Sequence, residues 1–189
     1  MADPIIQQYV RENASCDDWD PRAPEVAALV MELIAGRLPW AKIEHVGSSA
    51  VPGCAGKGII DLQISVSADE LQPVKDALEE LGFQRQRWGM VWPEERPMRV
   101  GAIEHDGASF RLHVHVVPED NPDIDVMPRF RDTLRSHPAL RDAYVAWKRA
   151  IIESGQSQAD EYTIAKGMWI EQVLSGQTPG EAPNVQGDA

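Results

Sequence analysis

Cysteine is scarce in this chain. Cys16 and Cys54 are the two among 189 residues, so no disulfide framework is available and a reducing, cytoplasmic setting is expected. Long apolar runs are missing as well: none approaches the roughly 20 residues of a membrane helix, which argues against a bilayer-spanning segment. The opening MADPIIQQYVREN lacks a basic stretch followed by an apolar one, so no secretory signal is expected there. Basic side chains are few, with 18 Lys and Arg against 30 Asp and Glu and a net charge of −12. Phosphate neutralisation needs a basic face, so the balance argues against a general nucleic-acid binder.

The deficit is uneven. Residues 1–84 hold 6 basic and 14 acidic side chains, whereas residues 85–149 hold 11 and 10. The centre of the chain therefore has enough positive charge for a local anion site, although a solvated surface of mixed charge explains those arginines individually. The length suits one domain over residues 1–175 with its own core. Residues 176–189 are Gly- and Pro-rich with almost no large apolar side chain, and read as a disordered tail.

Periodicity supplies the elements. Val26, Leu29, Val30, Leu33 and Ile34 form a helical stripe within Pro24–Leu38. Lys42–Val46 reads as a short strand running into a loop of small residues, 47–53. In Gly58–Val66, Ile60, Leu62, Ile64 and Val66 alternate with Asp61, Gln63 and Ser65, the pattern of a strand covering a core on one side. Ser67 to Glu70 has the form of a capping box ahead of a helix ending near Gly82. A hairpin follows, Pro97–Glu104 and Ala108–Val117 about a turn at His105-Asp106-Gly107. From Met127 three helical segments are expected, broken near Pro138 and at Ser154-Gly155. The order implies an α+β fold: a small mixed or antiparallel sheet, helices on one face, a helical C-terminal part, and a second face left partly open. That second face collects Asp61, Gln63, Ser65, Arg111, His113 and His115.

Gly47-Ser48-Ser49 followed by Asp61-Leu62-Gln63 resembles the nucleotidyltransferase signature. There, backbone N–H groups and a serine hydroxyl at a Gly-Ser turn hold triphosphate oxygens, and strand carboxylates two apart hold a divalent metal. The longer string from His45 through Gly47-Ser48-Ser49, Val51-Pro52-Gly53 and Lys57 to Asp61 resembles the GrpB (UPF0157) family. Its members read roughly H-[IV]-G-S-T-[AS]-V-P-G-L-x-x-K-P-I-I-D-[IL]. The likeness continues through Arg111-Leu112-His113-Val114 and through Tyr144 to Lys148 and Tyr162 to Lys166, where the family repeats a Tyr-x-x-x-Lys spacing.

The resemblance implies a nucleotidyltransferase-like fold in a family of poorly defined activity, and one reading of it is a transferase acting on a nucleotide or other phosphorylated or anionic small molecule. In that reading Gly47, Ser48, Ser49, Lys57, Gln63, Arg111, Lys148 and Lys166 contact substrate, while Asp61 and His113 are catalytic. The metal, Mg2+ or another divalent ion, falls to Asp61, with His113 and His115 able to complete a two-histidine, one-carboxylate set suited to Zn, Fe or Ni. Two positions depart from the family pattern: Gln63 stands where a second acidic residue is usual, and Lys57-Gly58 replaces Lys-Pro. Gln63 cannot neutralise a metal, which keeps open a degenerate fold that binds a nucleotide, a CoA-like molecule or another anionic metabolite without turnover. Each residue also has a plainer reading. Gly47-Ser48 can be a helix cap, the histidines hydrogen-bonded sheet residues, the lysines helix packing with a snorkelling amine, and His45 a residue that orients the loop. Trp88, Trp92, Trp147 and Trp169 read as core or rim packing.

Overall fold

The computed structural model describes residues 5–13, 15–89, 91–154 and 159–179. From residue 180 on, the segment read as a disordered tail lies outside the described residues. Helix α1 spans Ala23–Ala35, β1 Lys42–Val46, β2 Ile60–Val66 and α2 Leu71–Glu80; a single 3-10 turn, Ser48–Ala50, lies between β1 and β2. Then come β3 (Gln84–Arg85), β4 (Met98–His105), β5 (Ala108–Pro118) and three helices, α3 (Val126–Ser136), α4 (Pro138–Glu153) and α5 (Ala159–Leu174). Among these helices none is long and apolar enough to cross a membrane. The β4–β5 hairpin turns through Asp106 and Gly107, both at positive φ, which is why a small polar residue and a glycine stand there. Of the capping box one half forms: Glu70 accepts a hydrogen bond from the Ser67 N–H at 2.8 Å.

The five strands make one mixed sheet in the order β1-β2-β5-β4-β3, with β2 and β5 parallel and the other pairs antiparallel. Alternation along β2 and β5 sends Ile60, Leu62, Ile64, Val66, Leu112, Val114 and Val116 to one face. All are fully buried against Val26, Val30 and Ile34 of α1 and Val74 and Leu78 of α2. A second apolar cluster gathers the C-terminal helices around the β1–β2 loop, where Val51, Cys54 and Ala55 meet Phe130, Leu134, Tyr144, Trp147 and Trp169.

Two features were not legible in the periodicity. The short strand β3 escapes notice because two residues carry no alternation. The N-terminal segment is tied across the sheet by a bridge between Gln7 and Ala102. It is anchored by Ile6, 1% exposed, which packs so closely on Gly101 that a Cβ there would come within 2.5 Å of Ile6 Cγ2. Because that anchor carries Tyr9 and Glu12 to the polar face, Ile6→Ala should cost about 2–4 kcal/mol in urea unfolding and raise amide exchange across residues 7–13.

Candidate metal and phosphate site

The parallel pairing of β2 with β5 sets Asp61 opposite His113 and Gln63 opposite His115. Partners in register share a face, so these four side chains project together from the side away from α1 and α2. Asp61 Oδ1 lies 3.4 Å from His113 Nδ1 and 3.7 Å from His115 Nε2. Asp61, His113 and His115 each offer a ligand atom within 4.8 Å of the others. Burial alone would raise the Asp61 carboxyl; the two imidazoles outweigh it and hold it far below the usual carboxylate range. Burial pushes His115 the other way, toward its neutral form.

The Gly47 backbone lies directly on this carboxylate. At φ +73°, a Cβ on Gly47 would fall 2.4 Å from Asp61 Oδ2, so both the conformation and the contact require glycine. Ser48 follows in the 3-10 turn; the Gly-Ser dipeptide here opens one turn and not an α-helix. Ser49 faces elsewhere, with its Oγ 3.0 Å from His45 Nε2. His45 pairs with Leu62 and so projects from the helix-covered face, where it orients the loop. The loop carbonyls are held from outside: Arg131 donates to His45 O at 2.9 Å, Arg135 to Ala50 O at 2.7 Å and Arg141 to Pro52 O at 3.1 Å. A cavity of about 330 Å³ opens beside these arginines, lined by Pro24, His45, Val51, Leu134, Arg135 and Arg141. Asp61, His113 and His115 do not line it.

The polar face is covered, where the alternation alone implied an open one. Gln63 is 2% exposed: its Nε2 donates to Ile124 O at 2.8 Å, while its buried Oε1 has no partner among the described residues. Tyr9 stacks on His113 with its hydroxyl 3.2 Å from His113 Nε2, and Trp88 stacks on Tyr9. Trp92 meets the edge of His115. Sequence reasoning misses Tyr9 altogether and assigns Trp88 and Trp92 to packing. The one available signal was an isolated aromatic ahead of the first helix.

The basic residues fall into different roles. Arg111 shares the row of His113 but is engaged, paired with Glu12 at 3.1 Å and donating to Lys57 O. Burial, then the charge of Lys166 on α5, pushes the Lys57 amine down to about 8. Lys166 acts on His115 and Lys148 as well, which puts its charge at the same end of the sheet. Lys148, expected to reach into the cleft, is instead 2% exposed, with its Nζ 3.1 Å from Ser48 Oγ. The side chain of Tyr162, the other half of the repeated Tyr-x-x-x-Lys spacing, lies outside the described residues.

His45 makes the loop acid-sensitive. Burial, reinforced by Arg135 and Arg131, lowers it from its ordinary 6.5 to about 4, so the unfolded chain binds a proton in this window that the folded chain refuses. Stability from this group is full above pH 6.5 and is lost as pH falls toward 4. Chemical denaturation between pH 7 and 4 should therefore show a steeper loss in the wild type than in His45→Gln.

A sequence model described as GrpB protein matches residues 13–176. A UPF0157 protein of Halalkalibacterium halodurans is 31% identical over 163 residues, covering 83% of this chain and 78% of that protein. One of Pseudomonas aeruginosa is 34% identical over 162 residues, covering 82% of this chain and 64% of that protein. Among solved structures, a conserved GrpB protein from Enterococcus faecalis superposes with a TM-score of 0.67 at 23% identity, over 86% of this chain and 96% of that one. A poly(U) polymerase bound to MgATP superposes with a TM-score of 0.56 at 12% identity, over 80% and 51%. At such identities the structural likeness establishes the fold alone, a nucleotidyltransferase-like α+β arrangement. Matched along most of its length, the chain belongs to the GrpB family.

Proposed function

We propose that this chain is a transferase of nucleotidyl or related phosphoryl groups, acting on a phosphorylated small molecule with a divalent metal at Asp61, His113 and His115. One observation carries the reading: the carboxylate, two imidazoles and the Gly47-Ser48 loop converge at one end of β2 and β5, beside the charges of Lys57 and Lys166.

The donor set fits a metal. Two ligand atoms each about 2.0–2.1 Å from a tetrahedral ion stand roughly 3.4 Å apart, close to the separations of Asp61 Oδ1 from His113 and His115. His113 Nε2 has a hydroxyl partner in Tyr9, the arrangement by which a ligating histidine is usually oriented. A bound ion would replace the proton through which His113 Nδ1 meets the Asp61 carboxylate, since a ligating imidazole is neutral with its lone pair on the metal. The unpartnered Gln63 Oε1 leaves a further oxygen on the same face. One carboxylate with two imidazoles suits Zn2+, Fe2+ or Mn2+ better than Mg2+, which prefers oxygen throughout. Such an ion polarises a phosphoryl oxygen and offsets its charge.

The chain's own residues do the rest. Gly47 lets the backbone approach the phosphate chain without a side chain intervening, and Ser48 offers a hydroxyl to its oxygens. Lys57 and Lys166 draw negative charge to the cleft. Arg111 joins them when Glu12 yields its place, since a phosphate would compete with that exposed carboxylate for the same guanidinium.

Calorimetric titration should find Zn2+ or Mn2+ bound more tightly than Mg2+, with Asp61→Asn weakening binding at least tenfold while the fold persists. Glu12→Gln should tighten pyrophosphate binding several-fold by releasing Arg111. Incubation with radiolabelled nucleoside triphosphates and a panel of small acceptors should then give metal-dependent turnover. Nucleotide binding that is indifferent to metal, without turnover, would favour the binding-module reading that Gln63 suggests.

A further inference from the structure

Lys148 is a buried amine, and among the described residues no carboxylate forms a salt bridge with it. The titratable groups that act on it most strongly are Cys54 in the β1–β2 loop, Cys16 on the N-terminal segment and Lys166 on α5. Its Nζ touches Ser48 Oγ at 3.1 Å, Cys54 Sγ at 3.7 Å and Ala55 O, and sits 4.4 Å from the centre of the Tyr144 ring. As an ammonium it donates to all three acceptors; once a proton is lost, two N–H donors remain for Ala55 and Cys54 and the lone pair turns to Ser48. The carbonyl of Ala55 can only accept and the thiol of Cys54 accepts weakly, while the hydroxyl of Ser48 can donate to the lone pair. Burial lowers the proton affinity of the amine and so eases that loss. Gly56 closes the cage: a Cβ there would come within 3.3 Å of Ser48 Cβ and 3.4 Å of Lys148 Nζ.

We infer that Ser48 is a nucleophile with Lys148 as its general base, so that the loop takes up a phosphoryl group from a phosphoanhydride as a covalent phosphoserine. The inference rests on the reading that phosphate is held at the Gly47-Ser48 loop. In the step, the Ser48 Oγ–P bond forms as the bridging P–O bond breaks, and that bond's electron pair leaves with the departing phosphate oxygen. The hydroxyl proton passes to Lys148 Nζ and stays there as the ammonium, while the departing phosphate leaves on the opposite side of phosphorus as its anion. Serine paired with lysine is an established way to activate a hydroxyl, and here the pair stands at the turn next to Asp61, which the proposed transferase site uses.

A fluorophosphonate probe tests the pair without metal or nucleotide, because Oγ–P formation expels fluoride. The full chain is treated from pH 6 to 10, and adducts are located by intact mass and peptide mapping. Expected are a single adduct on Ser48, a rate that climbs with pH as the amine loses its proton, no adduct in Ser48→Ala, and at least a hundredfold slower labelling in Lys148→Met and in Lys148→Arg. Should the lysine variants melt early, the wild-type pH profile decides. Labelling no faster than in the heat-denatured chain, a rate flat in pH, or modification of another serine would overturn the inference. Ser48 labelling in a chain that binds no nucleotide would overturn the transferase reading and leave the nucleophile standing.

Discussion

An ionised carboxylate largely covered by backbone and two imidazoles is costly unless something compensates its charge, and Asp61 is placed in that situation by three independent parts of the chain. The register of β2 with β5 brings both histidines to it. Gly47 presses on it from the loop, and Tyr9 covers His113 from the N-terminal segment. The two histidines are its ion partners, Gly47 packs against it and Tyr9 acts on it through His113, so the loop, the N-terminal segment and the parallel strand pair meet around a single side chain.

The C-terminal helices complete the arrangement by holding the loop. Arginines of α3 and α4 take its carbonyls on one side, while Lys148 of α4 reaches Ser48 and Ala55 on the other. The apolar cluster of Val51, Cys54 and Ala55 with Tyr144, Trp147 and Trp169 gives these polar contacts a rigid base. A turn of one 3-10 winding could not keep Gly47 and Ser48 in place alone. Its position is determined by residues 80 to 100 places further along the chain.

Much of this was legible in the amino-acid sequence and some was not, for physical reasons. A period of two along β2 and β5 is a local property, so the shared face of Asp61, Gln63, His113 and His115 follows from alternation alone. The hairpin turn and the apolar stripes of α1 and α2 are equally local. Burial of Gln63 is not, because its cover comes from the backbone at Ile124, 61 residues away. The N-terminal segment escapes notice because one anchoring residue, Ile6, makes no pattern. The place of Lys148 is hidden because i, i+4 spacing says which helix face a lysine shares with Tyr144 but not what that face meets.

Gln63 takes on a different meaning in the folded chain. As a substitute for a carboxylate it weakens an all-oxygen Mg2+ site, yet its amide is built into the fold through Ile124 and its oxygen, on the strand position opposite His115, has no partner among the described residues. That combination is what a site for a more imidazole-tolerant ion would use. Crystals grown with Mn2+ or Zn2+ and measured at the corresponding absorption edge give the most direct answer. An anomalous difference peak bounded by Asp61, His113 and His115 is expected. Full metal in solution with no peak there, and with Asp61 still in direct contact with His113, would contradict it.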